Sequence, residues 1–464
     1  MIANKELIKS SFRDPSAYCY TIGDDIYRKI NDKGLDDYNH LMSSGLYEKL
    51  HSLGLLISHT EMPVNLSTKD CSAIILMPKK IPFISYPYEW CFSQHKDAAL
   101  LTLKVASIAV EYGMALKDAS AYNIQFLYGK PILIDTCSFT KYQDGEPWLA
   151  YKQFCQHFLV PLALMSKKDI RLGGLAKNYI DGIPIDLASL LLKWICKFST
   201  GLFVHVYLHA KFKSKFSETP VLAKYKRKIS KNAYLGLLDN LVSTINKLTW
   251  SPMKTEWSDY YNNTNYTDKA SEHKALLLCQ LVGKIPKKCV TWDLGGNNGF
   301  YSRAIKRQVT SIVCWDIDPV AVESNYRKTK DENCTSILPL MQDLTNPSTS
   351  IGWAQTERDG FKERGAVDLI LALALVHHLA ISNNVPLSNI AEYLSCLSEY
   401  LIIEFVPKED SKVKLLLANR QDIFDQYELS SFKKIFSVYY SIEAEALITD
   451  TCRTMFLMKR IHKC

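Results

Sequence analysis

No stretch of these 464 residues runs to eighteen consecutive apolar residues, so the sequence offers no membrane-spanning helix. The closest approach, residues 187–208, is interrupted by Lys193 and Lys197 and carries His205, and is expected to form a buried helix. No two of the thirteen cysteines are spaced C-x-x-C, and their number is odd. That excludes a zinc knuckle and a disulfide framework. Single cysteines inside apolar runs, such as Val313-Cys314-Trp315, fit the reduced core thiols of a cytoplasmic protein. Residues 1–13 lack the apolar stretch of a signal peptide. Internal repeats and low-complexity tracts are absent. The charge excess is small, 56 basic against 48 acidic residues, and does not mark a nucleic-acid binder.

What is present is core-forming material: 47 % hydrophobic and 22 % charged residues. The length suits about three domains or two larger ones. One composition shift stands out. Residues 211–231 hold eight basic residues against Glu218 alone, a local +7 that nearly equals the whole net charge of +8. It reads as a solvated linker, or as a patch for an anionic substrate or membrane surface. The expected division is an N-terminal α+β module at 1–210, a basic linker and connecting helix at 211–250, and a second domain at 251–464.

Beyond that boundary short apolar runs alternate with helix-length segments. Strands are expected at 290–293, 311–316, 336–340, 369–374 and 401–405, with a late strand at 453–459. Helices are expected at 319–330 and 387–400. Such alternation builds a parallel sheet covered on both faces, an α/β Rossmann-like, doubly wound fold. The most informative string is Asp293-Leu294-Gly295-Gly296-Asn297-Asn298-Gly299. A strand ends at Asp293, glycines let the backbone approach a ligand, and a helix opens near Phe300. The ligand would sit at the carboxyl edge of the first strand, at the switch point of the sheet. The next strand ends at Asp316, where an acid can accept hydrogen bonds from both hydroxyls of a ribose. Ile317 lies beside it, and Asp343 after the third strand is placed to meet the exocyclic amine of adenine.

These residues resemble the first motif and following acids of the class I S-adenosylmethionine-dependent methyltransferases. Asn297 stands where the middle glycine of that motif falls, and asparagine tolerates left-handed backbone. A dinucleotide dehydrogenase would instead show G-x-G-x-x-G. The strings 371–386, 401–410 and 343–347, with Tyr86-Pro87-Tyr88-Glu89-Trp90 and 117–123 upstream, look like a bacterial methyltransferase family related to the nodulation protein NoeA, over nearly the whole chain. The resemblance implies S-adenosylmethionine as cofactor. Asp293, Gly295, Gly296, Asn297, Gly299, Asp316, Ile317 and Asp343 would hold it, and a glycan or small-molecule acceptor is the expected partner. His377 and His378, after the fourth strand, border the methyl group in this fold class, and either could act as base toward a hydroxyl. Strand alternation would turn one inward and one away. Glu404, Lys408 and Asp410 could orient an acceptor or be surface charges. Trp257, Tyr260, Tyr261 and Tyr266 are expected to pack an N-terminal helix on the sheet, or to close over the ligand.

In the first half, Asp118, Asn123 and Asp135 are spaced by five and twelve residues around a short hairpin. This resembles the catalytic loop of kinase-like phosphotransferases and implies that the three could hold magnesium–ATP. The residues before Asp118 are Leu116-Lys117, the residues after Asp135 are Thr136-Cys137, and a glycine-rich nucleotide loop is missing; Lys79 or Lys80 would have to pair the phosphates. A degenerate module that binds or presents the acceptor is the favoured reading. His205 and His209 form an i, i+4 pair without a third metal ligand, and ordinary packing is expected there. The sequence is read as that of an enzyme for O-methylation of a glycan or small metabolite, with no metal, a nucleic-acid partner not expected and the oligomeric state open. The alternatives are a bifunctional kinase–methyltransferase, an RNA or protein methyltransferase, and a binding scaffold.

Overall fold

The computed structural model describes residues 5–63, 74–211, 228–251, 268–418 and 420–462. The aromatic residues Trp257, Tyr260, Tyr261 and Tyr266, and the basic residues between 212 and 227, lie outside them. The chain divides into two compact units, Met1–Ser251 with Gly352–Arg358, and Pro252–Ile351 with Asp359–Cys464.

Unit 1 is α+β. Among the described residues β1 (Lys5–Leu7), β2 (Ala17–Ile22), β3 (Asp25–Ile30), β4 (His59–Met62) and β5 (Ile74–Pro78) form an antiparallel sheet of order β1-β2-β3-β5-β4. The long helix Phe92–Glu111 is buried along most of its length. It leads through β6 (Met114–Leu116) to a hairpin of β7 (Ile124–Leu127) and β8 (Lys130–Leu133), then to β9 (Phe139–Lys141), which pairs with β6. The hairpin turns at Tyr128 and Gly129, both at positive φ, which matches the twist of its strands. Helix Lys231–Lys247 packs against Phe92–Glu111 through Tyr234, Leu238, Leu241 and Ile245, a helical apolar stripe.

The expected single buried helix over 187–208 does not form. Extended backbone at Leu192, Lys193 and Ser199 splits the stretch into the helix Ile185–Leu191, a 3₁₀ turn Trp194–Phe198 and a π turn Phe203–Leu208. Leu190, Trp194, Ile195 and Phe198 are exposed. His205 is held between the Tyr151 hydroxyl and Asn240, each at 2.8 Å.

Unit 2 is the expected α/β sheet. β10 (Val290–Leu294), β11 (Ser311–Asp316), β12 (Ile337–Met341), β13 (Val367–Ala372) and β14 (Ser398–Phe405) are parallel; β15 (Tyr440–Leu447) and β16 (Thr454–Arg460) add an antiparallel edge. The order is β12-β11-β10-β13-β14-β16-β15. The chain therefore winds outward from β10 in both directions, and the switch point lies between β10 and β13. The central strands are buried nearly throughout, as helices on both faces require. Helix Pro319–Asp331 begins with Pro319 at its first position and Asp318 as cap, accepting from the Val320 N–H at 2.9 Å. β13 stops at Ala372, because Ala374 turns the chain at φ +50°. His377 and His378 thus follow the turn as helical backbone, and strand alternation does not orient them.

Candidate active site

The carboxyl ends of β10, β11, β12 and β13 open onto a cavity of about 450 Å³. The glycine turn forms one wall. Gly295 and Gly296 donate their N–H groups to the Trp315 carbonyl at 2.9 and 3.0 Å, which pins the turn to β11. Gly295, Asn297 and Gly299 all sit at positive φ. A Cβ on Gly296 would lie 2.4 Å from the Cys314 sulfur and 2.8 Å from Asp293 Oδ2, so no side chain fits. Arg303 donates to the Asn298 carbonyl (2.9 Å) and the Gly299 carbonyl (3.1 Å) and fixes the far end of the turn.

Asp293, Gly295, Gly296, Asn297, Asp316, Ile317 and Asp343 all line this cavity. Gly299 does not; it caps the helix Phe300–Ile305 behind the turn. Asp316 accepts the Asn297 N–H on Oδ2 and the Asp318 N–H on Oδ1, both at 2.8 Å. Each oxygen retains a lone pair, so two further donors can be taken. Asp293 accepts from the Ser302 hydroxyl at 2.6 Å. Burial raises both acids to about 6. Asp343 Oδ1 accepts both the N–H and the hydroxyl of Thr345, at 2.8 and 2.6 Å. Ile317, Leu344, Leu373, Leu375 and Leu379 supply apolar surface.

The two histidines separate in role. His378 lines the cavity. His377 is buried and its ring centre lies 4.1 Å from that of His378. Burial lowers His378 to about 4 and, with the His378 and Arg453 charges, carries His377 well down too. Both rings are neutral at pH 7.

Glu404 and Asp410, read above as acceptor-orienting or surface groups, are buried in an ion network. Arg453 reaches Asp410 at 2.7 Å and Glu404 at 3.2 Å, and Lys274 reaches Glu404 at 2.6 Å. Lys408 alone is a surface charge, 2.8 Å from Asp422. Lys274 also lines the cavity beside Asp293. Sequence reasoning missed Lys274 and Arg453. Each belongs to an element remote in the chain from its partners, and no local pattern marks a lysine or arginine that will be buried.

Unit 1 has its own cavity, about 610 Å³, lined by Asp118, Asn123 and Asp135 among others. Asp118 accepts the Ser120 N–H (2.9 Å) and Gln153 Nε2 (2.7 Å); burial and the nearby Asp135 raise it. Asn123 Nδ2 donates to Ser138 Oγ at 3.3 Å. Asp135 pairs with Arg28 of β3 and accepts from Ser138 Oγ (2.6 Å) and the Cys137 N–H (3.0 Å). Burial would raise it, but Arg28 and these donors hold it below the usual carboxylate range. Of the two lysines considered for the phosphates, Lys79 lines this cavity. Lys79 lies 4.9 Å from the centre of the Tyr128 ring, and Lys80 donates to the Asp24 carbonyl at 2.9 Å. The segment Gly352–Arg358, which the chain reaches between β12 and β13, also belongs to unit 1. Glu357 pairs there with Arg13 at 2.8 Å, and Arg358 lies 4.3 Å over the Tyr122 ring. No cluster of three or more His, Cys, Asp or Glu able to hold a metal ion occurs among the described residues.

A doubly wound sheet, a glycine turn at its switch point, and acids closing the first two strands give unit 2 the arrangement of the class I methyltransferase fold. No family model matches the chain. It is 34 % identical over 460 residues to "Nodulation protein NoeA" of Rhizobium meliloti (strain 1021), spanning 98 % of this chain and 96 % of that one. The chain belongs to the NoeA family. Among solved structures it is similar to the N-methyltransferase NodS of Bradyrhizobium japonicum WM9 in complex with S-adenosyl-L-homocysteine (9 % identity, 44 % of this chain, 98 % of that one, TM-score 0.33). It is similar also to the magnesium protoporphyrin IX methyltransferase ChlM of Synechocystis PCC 6803 with bound S-adenosylmethionine (16 % identity, 45 % and 100 %, TM-score 0.30).

Proposed function

We propose that the chain O-methylates a hydroxyl of a glycan or small metabolite, with His378 as the base. The observation that carries this reading is one cavity lined by His378, which burial keeps neutral, together with the glycine turn, Asp293 and Asp316. S-adenosylmethionine, when bound, supplies an electrophilic methyl group on a sulfonium. The residues fit it: two acids with open lone pairs suit an ammonium and a ribose diol, and the leucines suit the apolar remainder. Asp293 and Lys274 would take the charged amino-acid end, Asp316 the ribose and Asp343 the base. His378 would accept the hydroxyl proton as the acceptor oxygen becomes nucleophilic, and the leucine-lined wall limits water. His377 packs behind it and would set the position of that ring.

The test compares His378→Ala with wild type, reading S-adenosylhomocysteine release against hydroxyl-bearing glycan fractions and cofactor affinity by calorimetry. The reading expects affinity to hold while turnover falls about a hundredfold or more. Unchanged turnover would remove His378 as base.

For unit 1 we propose acceptor binding rather than phosphoryl transfer. Arg28 occupies the side of Asp135 that a cation would need, and Asp118 is committed to Ser120 and Gln153. Magnesium–ATP hydrolysis that is abolished by Asp135→Ala would instead establish a bifunctional kinase–methyltransferase.

A further inference from the structure

Between Asp186 and Glu218 the chain carries no acidic residue. The described part of this stretch also exposes a run of large apolar side chains. Leu190 is 83 % exposed, Trp194 70 %, Ile195 60 % and Phe198 75 %. A soluble surface has no energetic reason to present four such groups within nine residues, and contiguous exposed apolar patches mark docking sites.

The patch is built rather than frayed. Leu192 and Cys196, between the exposed groups, and Leu202 and Val206 after them are buried. Trp194 and Phe198 meet edge to face with ring centres 5.7 Å apart. The Tyr207 hydroxyl donates to the Lys193 carbonyl at 3.0 Å, and the Lys197 ammonium stands 5.4 Å from the Tyr207 ring. Lys193 and Lys197 are exposed between the aromatic residues. Extended backbone at Leu192, Lys193 and Ser199 bounds the 3₁₀ turn that carries Trp194, Ile195 and Phe198.

We propose that this ridge, Leu190 to Phe198, docks unit 1 onto an anionic lipid bilayer. The chemistry favours a bilayer. Tryptophan, phenylalanine, leucine and isoleucine insert at the boundary between headgroups and acyl chains, where tryptophan is at home. Lys193 and Lys197 can keep their ammonium groups at headgroup level, beside anionic phosphate, and no acid interrupts the chain between Asp186 and Glu218. A ridge of protruding side chains needs no complementary pocket in a fluid bilayer. The attachment is peripheral, because no helix among the described residues is long and apolar enough to cross a membrane. It stands independently of the methyl-transfer reading.

The test is co-sedimentation of the full chain with phosphatidylcholine vesicles, with and without phosphatidylglycerol. The chain should pellet with the anionic vesicles and stay in solution with the neutral ones. Trp194→Ser with Phe198→Ser, and separately Lys193→Glu with Lys197→Glu, should each weaken the partitioning by roughly tenfold or more. Their thermal midpoints should match wild type, since the altered side chains are exposed. No pelleting by wild type, or equal pelleting by the variants, would overturn the proposal. So would light scattering that shows a wild-type dimer turned into a monomer by the apolar variant, because the ridge would then be covered by a second copy of the chain.

Discussion

Asp316 in unit 2 and Asp135 in unit 1 are both buried acids near the end of a β-strand, and both line a cavity. Their surroundings are opposite. Asp316 receives two backbone N–H groups and, among the described residues, no ion-pair partner, and burial raises it to about 6. Asp135 receives a guanidinium and two further donors, and is held low. An acid left short of partners keeps its charge available for a ligand. An acid paired with arginine has spent that charge on the fold. The same residue type at similar burial is thus left open toward a cavity in one unit and tied to an arginine in the other.

The largest effect should come from breaking the pair in unit 1. Arg28→Ala leaves Asp135 buried and uncompensated, and should cost about 3–5 kcal/mol by denaturant unfolding. Asp316→Asn should change stability by less than about 1 kcal/mol, since relief of a buried charge offsets a lost hydrogen bond. Equal losses at the two sites would erase the distinction.

The acids should also respond to pH in opposite directions. Asp293 and Asp316 titrate above their unfolded values, so their share of stability in the ligand-free protein is full below about pH 4 and lost as pH rises through about 6. A ligand bearing an ammonium and hydroxyls favours the charged carboxylates. Cofactor affinity should therefore rise with pH through about 6 and then level off, with protons released on binding at pH 6, readable by calorimetry in buffers of different ionisation enthalpy. Asp135 is depressed, so its share persists at neutral pH and is lost only as pH falls through the acid range. The smallest effect belongs to the surface pair Lys408–Asp422. Lys408→Ala should cost less than about 1 kcal/mol in unfolding measurements.

Much of unit 2 was legible in the sequence because its determinants are local. The glycine turn, Asp293, Asp316 and the apolar strands lie within single short strings. Strand ends moved by one to three residues, β14 starting at Ser398 and ending the helix expected over 387–400 at Leu397, and β15 went unread, although its alternation of Ser441, Glu443 and Glu445 with smaller apolar residues is that of a half-exposed edge strand. The orientation of His377 and His378 was illegible because it follows from one positive φ at Ala374. The Lys274–Glu404–Arg453–Asp410 network joins four separate elements, and no window along the chain contains it. In unit 1 the spaced residues Asp118, Asn123 and Asp135 line one cavity. Arg28 and Glu357 come from far along the chain, so what those acids are paired with could not be read.

The most direct test of the central claim is a calorimetric titration of S-adenosylmethionine into wild type and Asp316→Ala at pH 7.5. Two charge-assisted hydrogen bonds to a ribose correspond to a loss of about 3 kcal/mol, a hundredfold or more in affinity. Micromolar binding by wild type and that loss in the variant are the predicted result. Wild type that fails to bind, or a variant that binds as tightly, would contradict the assignment of the open acid in unit 2 to the cofactor.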